Sequence, residues 1–169
     1  GGVGKTTLAS IIYMKNSGHF QGHCIVDNIR EESSNHRLKT LQERILSRIM
    51  RTKVKLQSVE EGKHMIRRRL SGSNVLIILD DVDDIDQLDA LAGSHNWFGS
   101  GSRIIITTRD KHLIITHKID HVCHIKLLSF EESIQLFNKR AYSGKKLIKD
   151  YKALSSCVVS YAAGLPLAL

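Results

Sequence analysis

Seven residues at the head of the chain could hold a phosphate. Gly1-Gly2-Val3-Gly4-Lys5-Thr6-Thr7 carries the second part of the pattern G-x-x-x-x-G-K-[ST]. Glycines at this spacing let backbone N–H groups turn inward and approach phosphate oxygens without a clashing Cβ. A helix starting near Lys5 would aim its N-terminal dipole at the same anion. Lys5 is placed to reach the β- and γ-phosphates, and the Thr6 hydroxyl to hold Mg²⁺. The competing reading is a helix N-terminus that is merely glycine-rich, so the loop needs a second motif beside it.

That motif is Leu79-Asp80-Asp81, which closes the apolar run Val75-Leu76-Ile77-Ile78-Leu79. Such a run reads as a parallel strand buried on both faces, and in open α/β sheets ligands sit at the C-terminal strand ends. This is the Walker B arrangement: Asp80 is expected in the Mg²⁺ shell, and Asp81 where a carboxylate orients attacking water. A polar turn is the alternative, because Asp83, Asp84 and Asp86 follow. A second run, Ile104-Ile105-Ile106, leads through Thr107 and Thr108 to Arg109. A cation at that strand end could sense a γ-phosphate; otherwise Arg109 forms a surface ion pair with Asp110 or Asp81.

These residues need a sheet and helices to position them. The glycine loop predicts a helix over residues 6–14, followed by a strand over 24–29. Leu38, Leu41, Ile45, Leu46, Ile49 and Met50 recur at helical period. Ser58 and Glu61 form a capping box for a helix carrying Met65, Ile66 and Leu70, which stops at Gly72. Strands follow over 75–79 and 103–108, with a weaker one over 122–125. From Ser129 the pattern is helical only. Ser129 and Glu132 form another capping box, ahead of Ile134, Phe137 and Ala141. Asp150 is expected to cap a last helix carrying Tyr151, Leu154, Val158 and Tyr161. Strands alternating with helices argue for an α/β fold with a parallel sheet. The domain boundary falls near Ser129, dividing 1–128 from 129–169.

The bulk numbers agree with an ordinary globular chain of 169 residues, 41% hydrophobic and 25% charged. The start at Gly1 and the close inside an apolar run are expected of a piece of a longer protein. No apolar stretch approaches the ~18 residues of a membrane span. Cys24, Cys123 and Cys157 are too scattered for a disulfide framework, so reduced thiols in the cytoplasm are expected. The net charge is +8, and residues 37–69 hold 11 Lys and Arg against three Glu. Those charges alternate with apolar residues at helical spacing and lack the interleaved aromatics of single-strand binding, so nucleic acid is not the expected partner. His112, His117, His121, Cys123 and His124 crowd one stretch but match no structural zinc spacing. Trp97-Phe98 reads as a core anchor under a loop.

Taken in order, GGVGKTT, LIILDDVDD, GSRIIITTRD and GLPLAL resemble the NB-ARC domain of plant disease-resistance proteins. Phe20 through Arg30 and Leu128-Ser129-Phe130-Glu131-Glu132 fit the same pattern. The resemblance implies a P-loop NTPase fold: a parallel sheet flanked by helices, its first strand lying before Gly1, followed by part of an all-helical subdomain. It places the strand over 103–108 between that first strand and the one over 75–79. It implies an ADP/ATP switch with Mg²⁺, off with ADP and on with ATP, reset by slow hydrolysis. Gly1 through Thr7, Arg109 and Pro166 are the expected nucleotide contacts, with Pro166 near the adenine. Without the family, Pro166 would read as a helix stop. Asp83 implies an N-terminal Toll/interleukin-receptor-like domain, and leucine-rich repeats are expected beyond the C-terminus. Oligomerisation on activation and a cytoplasmic or nuclear location complete the expectation. The rival functions are a P-loop ATPase or kinase with steady turnover, and a basic nucleic-acid-binding module.

Overall fold

A computed structural model describes residues 1–33, 37–117, 119–141 and 151–169. The chain divides into two compact units. The larger comprises Thr6–Val122, and the smaller comprises Gly1–Lys5 with Cys123–Leu169.

The larger unit is built on three parallel strands. They are β1 (Gly22–Val26), β2 (Val75–Val82) and β3 (Arg103–Thr108), in the order β1-β2-β3. Parallel neighbours need crossover connections. Helices α2 (Ile29–Ser33), α3 (Leu38–Met50) and α4 (Val59–Leu70) cross from β1 to β2, and α5 (Ile85–Ala92) crosses from β2 to β3. Helix α1 (Lys5–Asn16) precedes β1, and α6 (Lys111–Thr116) follows β3.

The central strand shows why the apolar run was needed. Val75 through Leu79 are at most 1% exposed, on both faces of the sheet. Each such side chain stabilises the fold by roughly 1.5–3 kcal/mol. Leu41, Ile45 and Leu46 of α3 are fully buried against this core, with Leu38, Ile49 and Met50 packed at its margin. Phe98 is buried and Trp97 packs beside it, so this pair anchors its loop as expected.

Local chemistry sets the helix ends. The Ser58 hydroxyl accepts from the Glu61 N–H at 3.1 Å, while the Glu61 carboxylate accepts from Gln57 rather than from Ser58. Helix α5 was not foreseen from the sequence, although Asp84 and Gln87 form a complete capping box there. The short α2 and α6 were also missed; the Asp110 carboxylate caps α6 by accepting from the His112 N–H.

Two expected strands differ. The first runs Gly22–Val26 and does not reach residue 29. Asn28 adopts a left-handed backbone (φ 54°), which Asn tolerates better than most residues and which ends the strand. Its carbonyl accepts from the Glu31 and Glu32 N–H groups, so Ile29 enters the core from a helix. Residues 122–125 form no strand. Val122, Cys123 and His124 are exposed, and among the described residues no strand pairs with this stretch to hold it.

In the smaller unit, α7 (Phe130–Ala141) packs on α8 (Tyr151–Ala162). The Ser129 box forms in full: Ser129 Oγ accepts from the Glu132 N–H, and Glu132 accepts from the Ser129 N–H. The Asp150 cap lies outside the described residues. The expected face of α8 is corrected. Ser155, Val159 and Ala162 are buried, whereas Leu154, Val158 and Tyr161 are exposed. On α7 the buried position is likewise a small residue, Ser133.

Candidate nucleotide-binding site

Within the larger unit, the strand ends gather the acidic and hydroxyl groups. Thr6, in the first turn of α1, donates its hydroxyl to both Asp80 oxygens, at 3.1 and 2.9 Å. Thr107, at the end of β3, donates to Asp80 Oδ1 at 2.5 Å. The same Thr107 oxygen accepts the Asp81 N–H at 2.9 Å. Asp80 is 4% exposed, and among the described residues no Lys or Arg pairs with it. A buried carboxylate satisfied only by hydroxyls is a costly arrangement. Its oxygen-only donor set fits a hard cation such as Mg²⁺.

Asp81 faces a different environment. Its carboxylate meets Arg109 Nε at 3.0 Å and Arg30 Nη2 at 3.4 Å. Its backbone is left-handed, with φ 54°, a conformation that costs a non-glycine residue on the order of 1 kcal/mol. The strain coincides with a break in register. Leu79 pairs with Ile106, but Val82 pairs with Thr108, so β2 advances three residues while β3 advances two. A regular strand would send neighbouring side chains to opposite faces. The bulge breaks that alternation where the two carboxylates lie.

Asp83 is tied to α5. Its Oδ1 accepts from Gln87 Nε2 at 2.8 Å, and its N–H donates to Gln87 Oε1 at 3.0 Å.

In the smaller unit, Gly2 and Gly4 adopt φ values of 82° and 95°, which strain any L side chain. A Cβ on Gly2 would lie 2.9 Å from the Leu167 Cβ, and the Leu167 N–H donates to the Gly2 carbonyl at 3.3 Å. The Gly164-Leu165-Pro166 turn is thus brought against the glycine loop. Gly164 is itself left-handed, and its carbonyl accepts the Leu128 N–H at 2.9 Å. Pro166 opens a short 3₁₀ turn, Pro166–Ala168. Gly1 and Val3 belong to the same loop. Lys5 ends it as the first residue of α1 and makes no ion pair among the described residues; Thr6 and Thr7 follow, both exposed.

The structure therefore joins Thr6 to Asp80, Asp81 to Arg109, and Gly2 to the segment around Pro166. Sequence reading missed Thr107 and Arg30. Thr107 had a signal, since it is a hydroxyl at the end of a strand parallel to the acidic one. Arg30 had none: it is one basic residue in a charged stretch after β1.

A parallel sheet with a glycine loop opening α1, and an acid at the end of a doubly buried strand, defines the P-loop nucleotide-binding class. Residues 1–147 match the NB-ARC domain, and the chain belongs to that family. It is 42% identical over 171 residues to the disease resistance protein RUN1 of Vitis rotundifolia, an alignment covering 100% of this chain and 13% of that protein. It is 45% identical over 176 residues to the TMV resistance protein N of Nicotiana glutinosa, covering 100% of this chain and 15% of that protein. The disease resistance-like protein DSC1 of Arabidopsis thaliana is 38% identical over 99% of the chain and 14% of its own length. The chain thus spans only a small part of these relatives.

Proposed function

We propose that this chain is the nucleotide-binding core of a plant disease-resistance receptor, and that it works as a switch. ADP holds the off state, ATP the on state, and slow hydrolysis resets it. The observation that carries the reading is the hydrogen bond between Thr6 and the buried Asp80, two residues 74 positions apart. It couples the end of the glycine loop to the acidic strand end, which a merely glycine-rich helix start would not need. The family and its disease-resistance relatives support the biological setting.

In this reading Gly1 through Thr7 wrap the phosphates, Lys5 supplies charge, and Pro166 lies toward the adenine. Thr6 and Asp80 hold Mg²⁺, which would neutralise charge on the phosphate oxygens. Asp81 orients the attacking water. Arg109 reads the γ-phosphate by exchanging its Asp81 partner for phosphate oxygens, and differential contacts of that kind are what a switch requires. Residues 1–128 form the nucleotide-binding domain and 129–169 begin a helical subdomain. The whole receptor carries a Toll/interleukin-receptor-like domain, leucine-rich repeats and an activation-dependent oligomer, and works in the cytoplasm or nucleus. No described helix is long and apolar enough to cross a membrane.

The test uses the full-length protein and its bound-nucleotide content. Lys5→Ala should lose ADP and ATP by about tenfold or more, the loss of one charge-assisted phosphate contact. Asp80→Ala should remove the Mg²⁺ dependence of ATP binding. Asp81→Ala should keep nucleotide, slow hydrolysis and signal without a trigger. An Asp81→Ala protein that carries more ATP yet stays silent would refute the switch.

A further inference from the structure

Asp81 has two arginine partners, and they differ in kind. Arg109 places both Nε and Nη2 on the carboxylate, at 3.0 and 3.5 Å. Arg109 thus spends its Nε–Nη2 edge on Asp81, and a phosphate can take that bidentate edge only if Arg109 leaves the carboxylate. Arg30 comes from another element and makes a single contact, Nη2 to Oδ2 at 3.4 Å.

The platform under Arg30 is fixed at both ends. Before it, Ile29 is fully buried and the left-handed Asn28 accepts the first N–H groups of α2. After it, the Ser33 hydroxyl accepts from Gln87 Nε2 at 2.7 Å, which ties α2 to the start of α5. Asp81 itself is held in a strained backbone that persists only where its surroundings over-determine it. With Arg109 gone, the Thr107 hydroxyl holds the Asp81 backbone, and Arg30 alone among these partners holds its carboxylate.

We propose that Arg30 is a positioning residue for hydrolysis: it keeps the Asp81 carboxylate aimed while Arg109 is on the γ-phosphate. The inference rests on the reading of Asp81 as the water-orienting group. In that step the water oxygen bonds to the γ-phosphorus as the bond to the β–γ bridging oxygen breaks. ADP leaves with that oxygen, and the water proton passes through the Asp81 carboxylate to the released phosphate. Arg30 touches neither water nor phosphate; it acts through Asp81.

The experiment is single-turnover hydrolysis by ATP-loaded full-length protein, with ADP and ATP affinities and melting temperature measured alongside. Arg30→Ala should slow hydrolysis about three- to tenfold, the scale of losing one half-exposed ion pair in the reacting geometry. Affinities should stay within about twofold of wild type, because no nucleotide contact is removed. Arg30→Lys should recover part of the rate by restoring the charge. Arg30→Ala in the Asp81→Ala background should add no further loss, since the two act as one unit. A wild-type rate in Arg30→Ala, with Asp81→Ala slow, overturns the Arg30 role and leaves the Asp81 reading standing. Loss of nucleotide or of the folded state in both Arg30 variants makes Arg30 structural and overturns it too. A wild-type rate in Asp81→Ala removes the underlying reading, and the proposal with it.

Discussion

Cys24 sits in the middle of β1, 1% exposed, and burial pushes its thiol up to about 11 despite the opposing pull of Arg48 and Arg44. Burial disfavours the thiolate, so this cysteine is inert where the exposed Cys123 and Cys157 are not. Maleimide should label Cys123 and Cys157 in the native chain and reach Cys24 only on unfolding; native labelling of Cys24 would contradict its burial. The shift also has a sign for stability. Below the ordinary thiol value both folded and unfolded chains keep the proton. Above it the unfolded chain releases a proton that the folded chain retains up to about 11, so stability falls as pH rises through that window. The gap corresponds to roughly 2–3 kcal/mol. Chemical denaturation at about pH 8 and about pH 10.5 should show this fall in wild type and a shallower one in Cys24→Ala; equal slopes would clear Cys24 of the effect.

Among the elements, α3 and α4 are joined by a contact that composition alone does not announce. Gln42, fully buried, donates to the Val59 carbonyl at 3.0 Å and to the Ala90 carbonyl at 2.8 Å. It fits because Gly62 faces it: a Cβ there would lie 2.0 Å from Gln42 Oε1. Gly62→Ala should gain up to ~1 kcal/mol of helix propensity. It should lose more by displacing a buried amide from two carbonyls. The expected net is a destabilisation of about 1–3 kcal/mol in denaturant unfolding, and a more stable variant would show that Gln42 yields at no cost. A glycine inside a helical pattern was the sequence-level trace of this packing. The same pattern of apolar residues made β2, β3, α3 and α4 legible, because burial at a fixed period writes itself into side-chain type. Helix α5 was equally written, in Asp84 and Gln87, but the run of acids around it reads as a turn. The outward face of α8 was misread because hydrophobic side chains do not say whether close approach will be given to them or to the smaller residues between them. At the site, the glycine loop and Asp80 were legible from spacing. Arg30 was not, since only the folded register brings it to Asp81.

At the scale of the whole molecule, part of the surplus of positive charge is carried on exposed helix positions such as Arg67, Arg68 and Arg69 of α4, while the flanking Ile66 and Leu70 are buried. The sheet is less well covered. Among the described residues β3 pairs only with β2, and Ile104, Ile105 and Ile106 are half-buried. An unpaired apolar strand edge templates association with another chain. The chain 1–169, expressed alone, should therefore self-associate in light scattering as its concentration rises. A concentration-independent monomer with a native near-UV signal from Trp97 would show that the edge is protected.

The two threonines at Asp80 have one consequence for what the site will accept. A hydroxyl owns one proton and two lone pairs. Thr6 and Thr107 both spend their protons on the Asp80 carboxylate, and Thr107 gives a lone pair to the Asp81 N–H. What they can still offer an incoming atom is therefore electron density, never a proton. Such a corner, rich in lone pairs and spent of protons, favours a cation over an oxyanion.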